Sequence, residues 1–165
     1  PSTRYGAMIS ERQMNTALRH IDQSKSEGLN LVLGGERVMA ETGGFYVEPT
    51  IFDGVHSGST IAREEIFGPV LGVMTFKDAA EAVQIANDTV YGLASGLWTA
   101  DLDRAMSMTR RLRAGLVWVN GWDSCDITMP FGGFKQSGFG RDRSLHALHK
   151  YADLKSVTFT LREAR

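Results

Sequence analysis

Cys125 supplies the one thiol of the chain, and a cysteine is the most readily activated nucleophile among the side chains. It lies in the stretch Asp123-Ser124-Cys125-Asp126. The adjacent carboxylates disfavour the thiolate, which is the reactive form, because neighbouring like charges destabilise one another. We therefore do not expect Cys125 to act as a catalytic nucleophile. A single cysteine also rules out a disulfide framework and is typical of a reducing compartment, so we expect a cytoplasmic protein.

Residue spacing argues against two other kinds of site. None of the four histidines has the spacing to Cys125 or to paired acids that a metal site needs, so we expect no metal. The glycines from Gly132 to Gly140 could suggest a phosphate-binding loop. However, neither a P-loop signature nor a strand–Gly-x-Gly-x-x-Gly–helix unit is present, so we reject both motifs.

The composition is that of a globular domain of 165 residues, with 42% hydrophobic and 22% charged residues. A net charge of −1 gives no basic patch for nucleic acid or for an acidic membrane surface. No apolar run approaches the roughly 20 residues that span a bilayer. The sequence therefore predicts neither a nucleic-acid partner nor a membrane partner.

The first half of the chain predicts one helix and two strands. Ser10-Glu11-Arg12-Gln13 has the pattern of a capping box, in which residues 10 and 13 cap each other, and Gly28 suits the position just past the helix end. Leu29 to Leu33 is a short apolar run typical of a strand. Phe45 to Val55 is strand-like around Pro49, which favours an edge or bent strand over a central one.

The second half alternates regularly between strands and helices, which implies crossover units, a parallel sheet and an α/β fold. The helices begin at the capping residues Asp78 and Asp101. The buried-type strand Val70 to Phe76 comes first, followed by the strands Leu93 to Trp98 and Leu116 to Asn120.

A long irregular segment runs from Gly121 to Gly140, after the last of these strands. Ligands of open α/β sheets bind at the carboxyl ends of strands, so this segment is a candidate site. Arg141 to Lys150 can form a helix. Leu154 to Leu161 alternates like a final strand with no local partner, and we expect it to join a sheet elsewhere in the subunit or in a neighbour.

Four stretches together resemble the C-terminal portion of NAD(P)-dependent aldehyde dehydrogenases: Glu64 to Val70, Asn87 to Trp98, Gly115 to Asn120 and Pro130 to Arg141. The resemblance implies part of that family's α/β catalytic domain over residues 1–150. It also implies an oligomerisation strand, roughly Tyr151 to Leu161, within residues 151–165. Since the family forms dimers and tetramers, we expect a homo-oligomer.

Two further stretches suggest a subgroup within the family. Asp126 to Gly133 and Gly140 to Leu148 resemble the γ-glutamyl-γ-aminobutyraldehyde dehydrogenases of putrescine breakdown. The substrate that this resemblance implies is a small aldehyde carrying an amine.

The resemblance assigns three residues to binding of NAD or NADP. Glu65 matches a glutamate that accepts hydrogen bonds from the nicotinamide ribose hydroxyls, and Phe67 matches an aromatic packed near the nicotinamide. Gln13 matches a position near the adenosine ribose. Each also has a purely structural interpretation, as a surface acid, a core phenylalanine and a helix-capping residue respectively.

Four residues match the substrate pocket by the same resemblance: Trp122, Asp123, Cys125 and Phe131. Acids near an aromatic would suit an aldehyde that carries an amine, through charge pairing and cation–π contact. For Trp122, packing of the loop on its own aromatics is an equally good interpretation. Asp142 matches a position, often glutamate in relatives, that takes part in a proton relay; it would also suit the first turn of a helix.

The family nucleophile lies in a glycine-glutamine-x-cysteine context that is absent here. The resemblance implies that an upstream cysteine attacks the aldehyde, that hydride passes to NAD(P)+, and that an upstream glutamate assists hydrolysis of the thioester. The start, without methionine or cap, is typical of the middle of a longer protein. We therefore expect this chain alone to be inactive. The alternative is a truncated, non-catalytic relative that serves as a folding or assembly module.

Overall fold

The computed structural model describes residues 5–161. The chain packs as two compact units, Pro1–Thr89 and Val90–Arg165. The predicted division into a catalytic part, 1–150, and an oligomerisation strand with its tail, 151–165, stays a prediction. Over the described residues, every helix is too short or too polar to cross a membrane.

Helix α1 spans Glu11–Ser26 and begins where the sequence predicts. The Ser10 hydroxyl accepts a hydrogen bond from the backbone N–H of Gln13 at 3.2 Å, which satisfies one free amide of the first turn. Gly28, with φ of 79°, follows the helix end as expected. The other half of the predicted capping box is wrong, because the side chain of Gln13 bonds to a distant loop instead of to Ser10.

The first unit contains a mixed sheet. Strand β4 lies at its centre, antiparallel to β1 and parallel to β5, while β2 and β3 form a separate antiparallel pair. The expected parallel pairing is therefore present but accompanied by antiparallel pairs. The strands are β1 (Asn30–Leu33), β2 (Arg37–Val38), β3 (Tyr46–Val47), β4 (Thr50–Asp53) and β5 (Val70–Gly72).

Two strand predictions need correction. Phe45 to Val55 is predicted to be an edge or bent strand around Pro49, but Pro49 lies between the separate strands β3 and β4, and β4 is central in its sheet. A proline outside the ladder removes no hydrogen bond from it, so the central position is compatible with the sequence. The buried-type strand predicted from Val70 to Phe76 ends at Gly72, and Leu71 is 57% exposed.

The core of the first unit joins α1 to the sheet. Phe52 on β4 is fully buried, and burial of a phenylalanine contributes about 1.5–3 kcal/mol. This packing fixes the position of α1 relative to β4. The buried members of the cluster are Met14, Ile21, Val47, Phe52 and Val55.

A short helix, α2 (Thr60–Arg63), is held at both ends by side chains from other elements. Glu27, at the end of α1, accepts hydrogen bonds from the Thr60 backbone N–H at 3.0 Å and from the Thr60 hydroxyl. Arg63 donates to the Asp88 carboxylate through Nη1 at 3.3 Å and Nη2 at 3.0 Å. These contacts fix the point from which the chain enters the segment beginning at Glu64.

The two aspartate caps predicted from the sequence are confirmed. Asp78 Oδ1 accepts from the backbone N–H groups of Ala80 and Glu81, both at 2.9 Å, at the start of α3 (Ala79–Asn87). Asp101 Oδ1 accepts from the Arg104 N–H at 2.9 Å at the start of α4 (Leu102–Arg111). Both carboxylates also lie at the positive end of the helix dipole.

The second unit contains the predicted crossover. Strands β6 (Ala94–Leu97) and β7 (Leu116–Val119) pair in parallel, and α4 connects them. Leu97, Ala105, Leu112 and Leu116 are buried. A parallel pair requires such a crossover connection, since a tight turn cannot join two strands that run the same way.

The remainder of the second unit is mostly irregular, as expected for Gly121 to Gly140. The helix predicted over Arg141 to Lys150 is instead a 3₁₀ helix over Leu145–Lys150. Residues 152–161 form no helix and pair with no strand among the described residues, and their side chains are exposed. The strand predicted from Leu154 to Leu161 is therefore not formed within the described part of this single chain.

Glu27→Gln should weaken the dependence of stability on acidic pH. Hydrogen bonds from Thr60 and Gln23 hold the pKa of Glu27 below its usual value of about 4.5. A carboxyl with a lowered folded-state pKa stabilises the fold above its unfolded pKa, and this contribution is lost as the pH falls through the folded pKa. Because glutamine keeps an acceptor oxygen but does not titrate, the variant should lose less stability between about pH 5 and pH 3. Urea unfolding at a series of pH values measures the difference.

Glu41→Gln is the matched control, because Glu41 is exposed and has no hydrogen bond or ion pair among the described residues. It should lose stability in acid in parallel with the wild type. Parallel loss by Glu27→Gln and the wild type would contradict the assignment.

Candidate functional site

The loop between α2 and β5 carries two of the predicted site residues, Glu65 and Phe67. Glu65 is exposed, and no hydrogen bond or ion pair engages its carboxylate within residues 5–161. Ile66 next to it is buried, and the Phe67 ring is 75% exposed. The loop thus anchors itself through Ile66 and presents a free carboxylate beside a free aromatic face.

The two adjacent glutamates of the loop have different surroundings. Glu64 Oε2 lies 3.9 Å from Nε2 of His20, a buried residue of α1. Glu65 lacks such a partner among the described residues. The family resemblance singles out Glu65, and the structure agrees in leaving its carboxylate, unlike that of Glu64, without an ion-pair partner among the described residues.

Phe67 adopts a left-handed backbone conformation, with φ of 56°. A non-glycine residue in this conformation costs about 1–2 kcal/mol, because Cβ approaches the following carbonyl oxygen. The Gln13 side-chain amide donates through Nε2 to the Ile66 oxygen at 2.8 Å and to the Phe67 oxygen at 3.0 Å. Two such bonds, at about 0.5–1.5 kcal/mol each, are of the size needed to offset the strain.

Gly68 completes the attachment of the loop to α1. A Cβ on Gly68 would lie 3.1 Å from Cβ of Ala17 and 3.3 Å from Cε of Met8. Glycine therefore lets the backbone approach the helix closely just after the strained residue. The three predicted cofactor residues, Gln13, Glu65 and Phe67, belong to this one arrangement.

In the second unit, the loop after β7 begins at Asn120, whose side chain makes two hydrogen bonds to the backbone of Thr99. The Asn120 amide accepts from the Thr99 backbone N–H at 2.8 Å and donates to the Thr99 oxygen at 2.9 Å. It links the chain just beyond β7 to the chain just beyond β6. Sequence reasoning missed this role of Asn120, which becomes recognisable only when the parallel pairing of the two strands is known.

Trp122 packs against Trp118 of β7, the strand that precedes its loop. Its ring centroid lies 4.7 Å from that of Trp118 at an interplanar angle of 45°. Trp118 Nε1 donates to the Ser124 oxygen at 3.3 Å. Trp122 nevertheless remains 62% exposed, so much of its surface is available to a ligand.

The acids around Cys125 differ in their hydrogen bonding. Hydrogen bonds from the Thr128 hydroxyl and backbone N–H hold the pKa of Asp126 below its ordinary value. Asp123 is exposed and has a left-handed backbone, with φ of 54°. Cys125 is half-buried between them. Asp123 is thus the acid of this stretch that has no hydrogen-bond partner among the described residues.

Phe131 and Asp142 are brought together by backbone pairing. The Phe131 N–H donates to the Asp142 oxygen at 2.8 Å, and the Asp142 N–H donates back at 2.7 Å. The guanidinium carbon of Arg143 lies 5.5 Å from the Phe131 ring centroid. Sequence reasoning missed this cation–π contact because the chain must fold back for it to form.

Asp142 is not the first-turn acid of a helix, and that interpretation is corrected. It precedes the 3₁₀ helix, and its carboxylate accepts a hydrogen bond from Lys150 Nζ at 2.7 Å. Both side chains of this pair are partly exposed, so its net stabilisation is about 0–1 kcal/mol. The role of Asp142 in a proton relay stays a prediction.

The glycines after Phe131 serve close backbone packing. A Cβ on Gly115 would lie 1.7 Å from the Gly132 oxygen, which no substitution can tolerate without movement of the backbone. Arg141 Nη1 donates to the Gly133 oxygen at 3.1 Å and to the Gly140 oxygen at 2.6 Å. Across the described residues, no group of three His, Cys, Asp or Glu side chains could hold a metal ion.

Comparison with known proteins shows which proteins this chain is similar to. The profile of the aldehyde dehydrogenase family matches residues 1–157. A betaine aldehyde dehydrogenase of Sinorhizobium fredii is 48% identical over 157 residues, which cover 94% of this chain and 32% of that protein. The chain thus spans 32% of the length of this curated relative.

Two solved structures are similar in both fold and sequence. An indole-3-acetaldehyde dehydrogenase in complex with NAD+ has a TM-score of 0.93 and 58% identity, covering 98% of this chain and 32% of that one. A γ-glutamyl-γ-aminobutyraldehyde dehydrogenase from Burkholderia cenocepacia has a TM-score of 0.90 and 57% identity, covering 94% of this chain and 31% of that one.

Proposed function

The chain belongs to the aldehyde dehydrogenase family, and we propose that the intact protein oxidises an aldehyde to its carboxylic acid with NAD(P)+. The observation that carries the proposal is the Glu64 to Val70 loop, in which the Glu65 carboxylate has no partner among residues 5–161 and the Phe67 ring is 75% exposed. In this reaction NAD(P)+ supplies the hydride acceptor.

The residues of the first unit fit a dinucleotide on chemical grounds. A carboxylate with free acceptor capacity can accept two hydrogen bonds from the vicinal diol of a ribose, and Glu65 has that capacity. The exposed Phe67 ring offers an apolar face to a flat heterocycle. Gln13 retains its side-chain oxygen as an acceptor, since its hydrogen bonds to the loop are made through nitrogen.

The nucleophile and the general base are proposed to lie outside these 165 residues. Cys125 stands on a loop between Ser124 and Asp126, outside the glycine-glutamine-x-cysteine context of the family nucleophile. We assign to the second unit one wall of the aldehyde pocket, through Trp122, Asp123, Cys125 and Phe131. By this proposal the chain alone does not turn over aldehydes.

We assign Asp142 to proton transfer with the solvent. Its carboxylate is partly exposed and accepts a hydrogen bond from Lys150, which gives it both a route to water and a fixed orientation. A relay group needs these two properties, since it must exchange protons while holding its position.

We assign an aminoaldehyde as the substrate. Asp123 offers an exposed carboxylate next in sequence to Trp122, which is 62% exposed, and a cationic amine is attracted to both groups. Two relatives are named for aldehydes that carry a charged nitrogen, a betaine aldehyde and a γ-glutamyl-γ-aminobutyraldehyde. A third is named for indole-3-acetaldehyde, so substrate charge is the property to test.

Residues 151–161 are assigned to assembly of a homo-oligomer. Apolar residues alternate from Val157 to Leu161, with Phe159 82% exposed in the single chain. An extended segment with unpaired backbone groups and an apolar stripe is suited to pair with another sheet.

Glu65→Gln in the intact protein should lower kcat/KM for NAD(P)+ by about 10-fold, since hydrogen bonds to a charged acceptor are stronger than those to a neutral one. NAD(P)H formation, followed by its absorbance with simple and amine-bearing aldehydes, is the measurement. Glu41→Gln, with the same charge change, should match the wild type. Failure of the intact wild-type protein to oxidise any aldehyde would overturn the proposal, and loss of turnover in Cys125→Ser would make Cys125 the nucleophile.

Asp123→Asn should lower kcat/KM for an aminoaldehyde by about 5-fold, the size of an exposed ion pair. An uncharged aliphatic aldehyde of equal length serves as the internal control and should be affected less than about 2-fold, because it has no charge to pair with Asp123. An aliphatic aldehyde that proves the best substrate of the wild type would contradict the assignment.

Phe159→Asp should lower the mass of the particle measured by light scattering, because it puts a charge into the apolar stripe. Ser156→Asp is the matched control, since alternate residues of an extended segment point to opposite faces and Ser156 lies on the other one. A sharp monomer peak for the wild type at high concentration would rule out self-association.

A further inference from the structure

The Gln13 side chain has committed all of its hydrogen-bond donors to the loop that carries Glu65 and Phe67. A glutamine amide nitrogen has two hydrogens, and Nε2 of Gln13 lies 2.8 Å from the Ile66 oxygen and 3.0 Å from the Phe67 oxygen. Its oxygen has no partner among the described residues. Gln13 could therefore position the loop through its nitrogen and bind a ligand through its oxygen, and these two roles use different atoms.

We propose that Gln13 is a positioning residue for the nicotinamide side of the cofactor site. It acts through Nε2 by holding the left-handed turn at Phe67, while only Oε1 is left to accept a hydrogen bond from a bound ligand. This inference rests on the proposed function, because it concerns the same site.

The left-handed turn at Phe67 depends on the two hydrogen bonds from Gln13, here called the Gln13 clamp, because the neighbouring contacts hold the loop at its two ends and not at the turn. Upstream, α2 is fixed by Glu27 and by the Arg63–Asp88 pair. Downstream, Gly68 lies so near α1 that a Cβ added to it would be 3.1 Å from Cβ of Ala17. Between these points, Gln13 is the donor that the described part of the chain supplies to the Ile66 and Phe67 oxygens, at the place where the backbone is strained.

The clamp is itself held firmly. Gln13 lies in the first turn of α1, next to Met14, which is 1% exposed within the core. The Ser10 hydroxyl binds the backbone N–H of Gln13. The amide is therefore carried by a well-fixed helix end, which is what a positioning residue requires.

Two substitutions separate the roles. Gln13→Glu removes both donors and repels the two carbonyl oxygens, yet keeps an acceptor for a ribose hydroxyl. It also suits the start of α1, where a glutamate can complete the capping box, so the helix should fold. Gln13→Lys keeps a donor for the carbonyls but cannot accept a hydrogen bond. Asn15→Asp is the control, with the same charge change on an exposed residue of α1.

The first readout is hydrogen–deuterium exchange of the Glu64 to Val70 segment in the intact protein without cofactor. Gln13→Glu should exchange at least about 10-fold faster than the wild type, because opening of the turn becomes easier. Gln13→Lys and Asn15→Asp should stay near the wild type. Unchanged exchange in Gln13→Glu overturns the proposal, whether or not the protein oxidises aldehydes.

The second readout compares turnover with binding of ADP-ribose, which lacks the nicotinamide. Gln13→Glu should lower kcat by about 10- to 100-fold, since a small misplacement of reacting groups has effects of this size. Its affinity for ADP-ribose should stay within about 2-fold of the wild type. A loss of ADP-ribose affinity with kcat unchanged would show that Gln13 acts through the adenosine side and would overturn the inference.

If the intact wild-type protein oxidises no aldehyde, the proposed function is wrong. The exchange experiment would still decide whether Gln13 holds the loop, so the two failures are distinguishable.

Discussion

The pair of hydrogen bonds from Gln13 to the Ile66 and Phe67 oxygens connects the candidate cofactor site to the core of the first unit. Helix α1 is located by packing of Met14 and Ile21 against Phe52, so the amide of Gln13 has a definite position before any ligand binds. The loop takes its position from that amide. The orientation of Glu65 and Phe67 thus depends on the apolar packing that locates α1, transmitted through one polar side chain.

The second unit positions its loop by other means. The Asn120 amide ties the ends of the parallel strands together, and Gly115 approaches the Gly132 oxygen more closely than any side chain would permit. Backbone pairing then brings Phe131 beside Asp142. The close backbone contact at Gly115 leaves no room for an added side-chain atom. The Gln13 clamp, in contrast, tolerates substitutions that keep a hydrogen-bond donor for the loop. We therefore expect substitutions to be restricted by size in this unit and by hydrogen-bond chemistry around Phe67.

The sequence correctly predicts the starts of α1, α3 and α4, because each is determined by a capping residue within a few positions of the groups it binds. The caps Ser10, Asp78 and Asp101 lie within a few residues of the groups they bind, and all three are confirmed. The central position of β4 was missed because strand order depends on partners far along the chain. The Lys150–Asp142 pair was missed for a different reason, since the predicted helix placed Asp142 in its first turn whereas the helix begins at Leu145.

Gln13 shows why a correct motif can still mislead about a side chain. The capping-box pattern correctly predicts the start of α1, yet the backbone N–H of Ser10 competes with two carbonyl oxygens for the same amide. The carbonyl pair uses both amide hydrogens and belongs to a strained turn, whereas Ser10 can use only an acceptor oxygen of Gln13 and, at a helix start, has water as an alternative. The Gln13 side chain therefore bonds to the two distant carbonyl oxygens and not to the nearby backbone N–H of Ser10. The helix keeps its other cap through the Ser10 hydroxyl, so α1 can begin at the same residue while the glutamine side chain serves the loop.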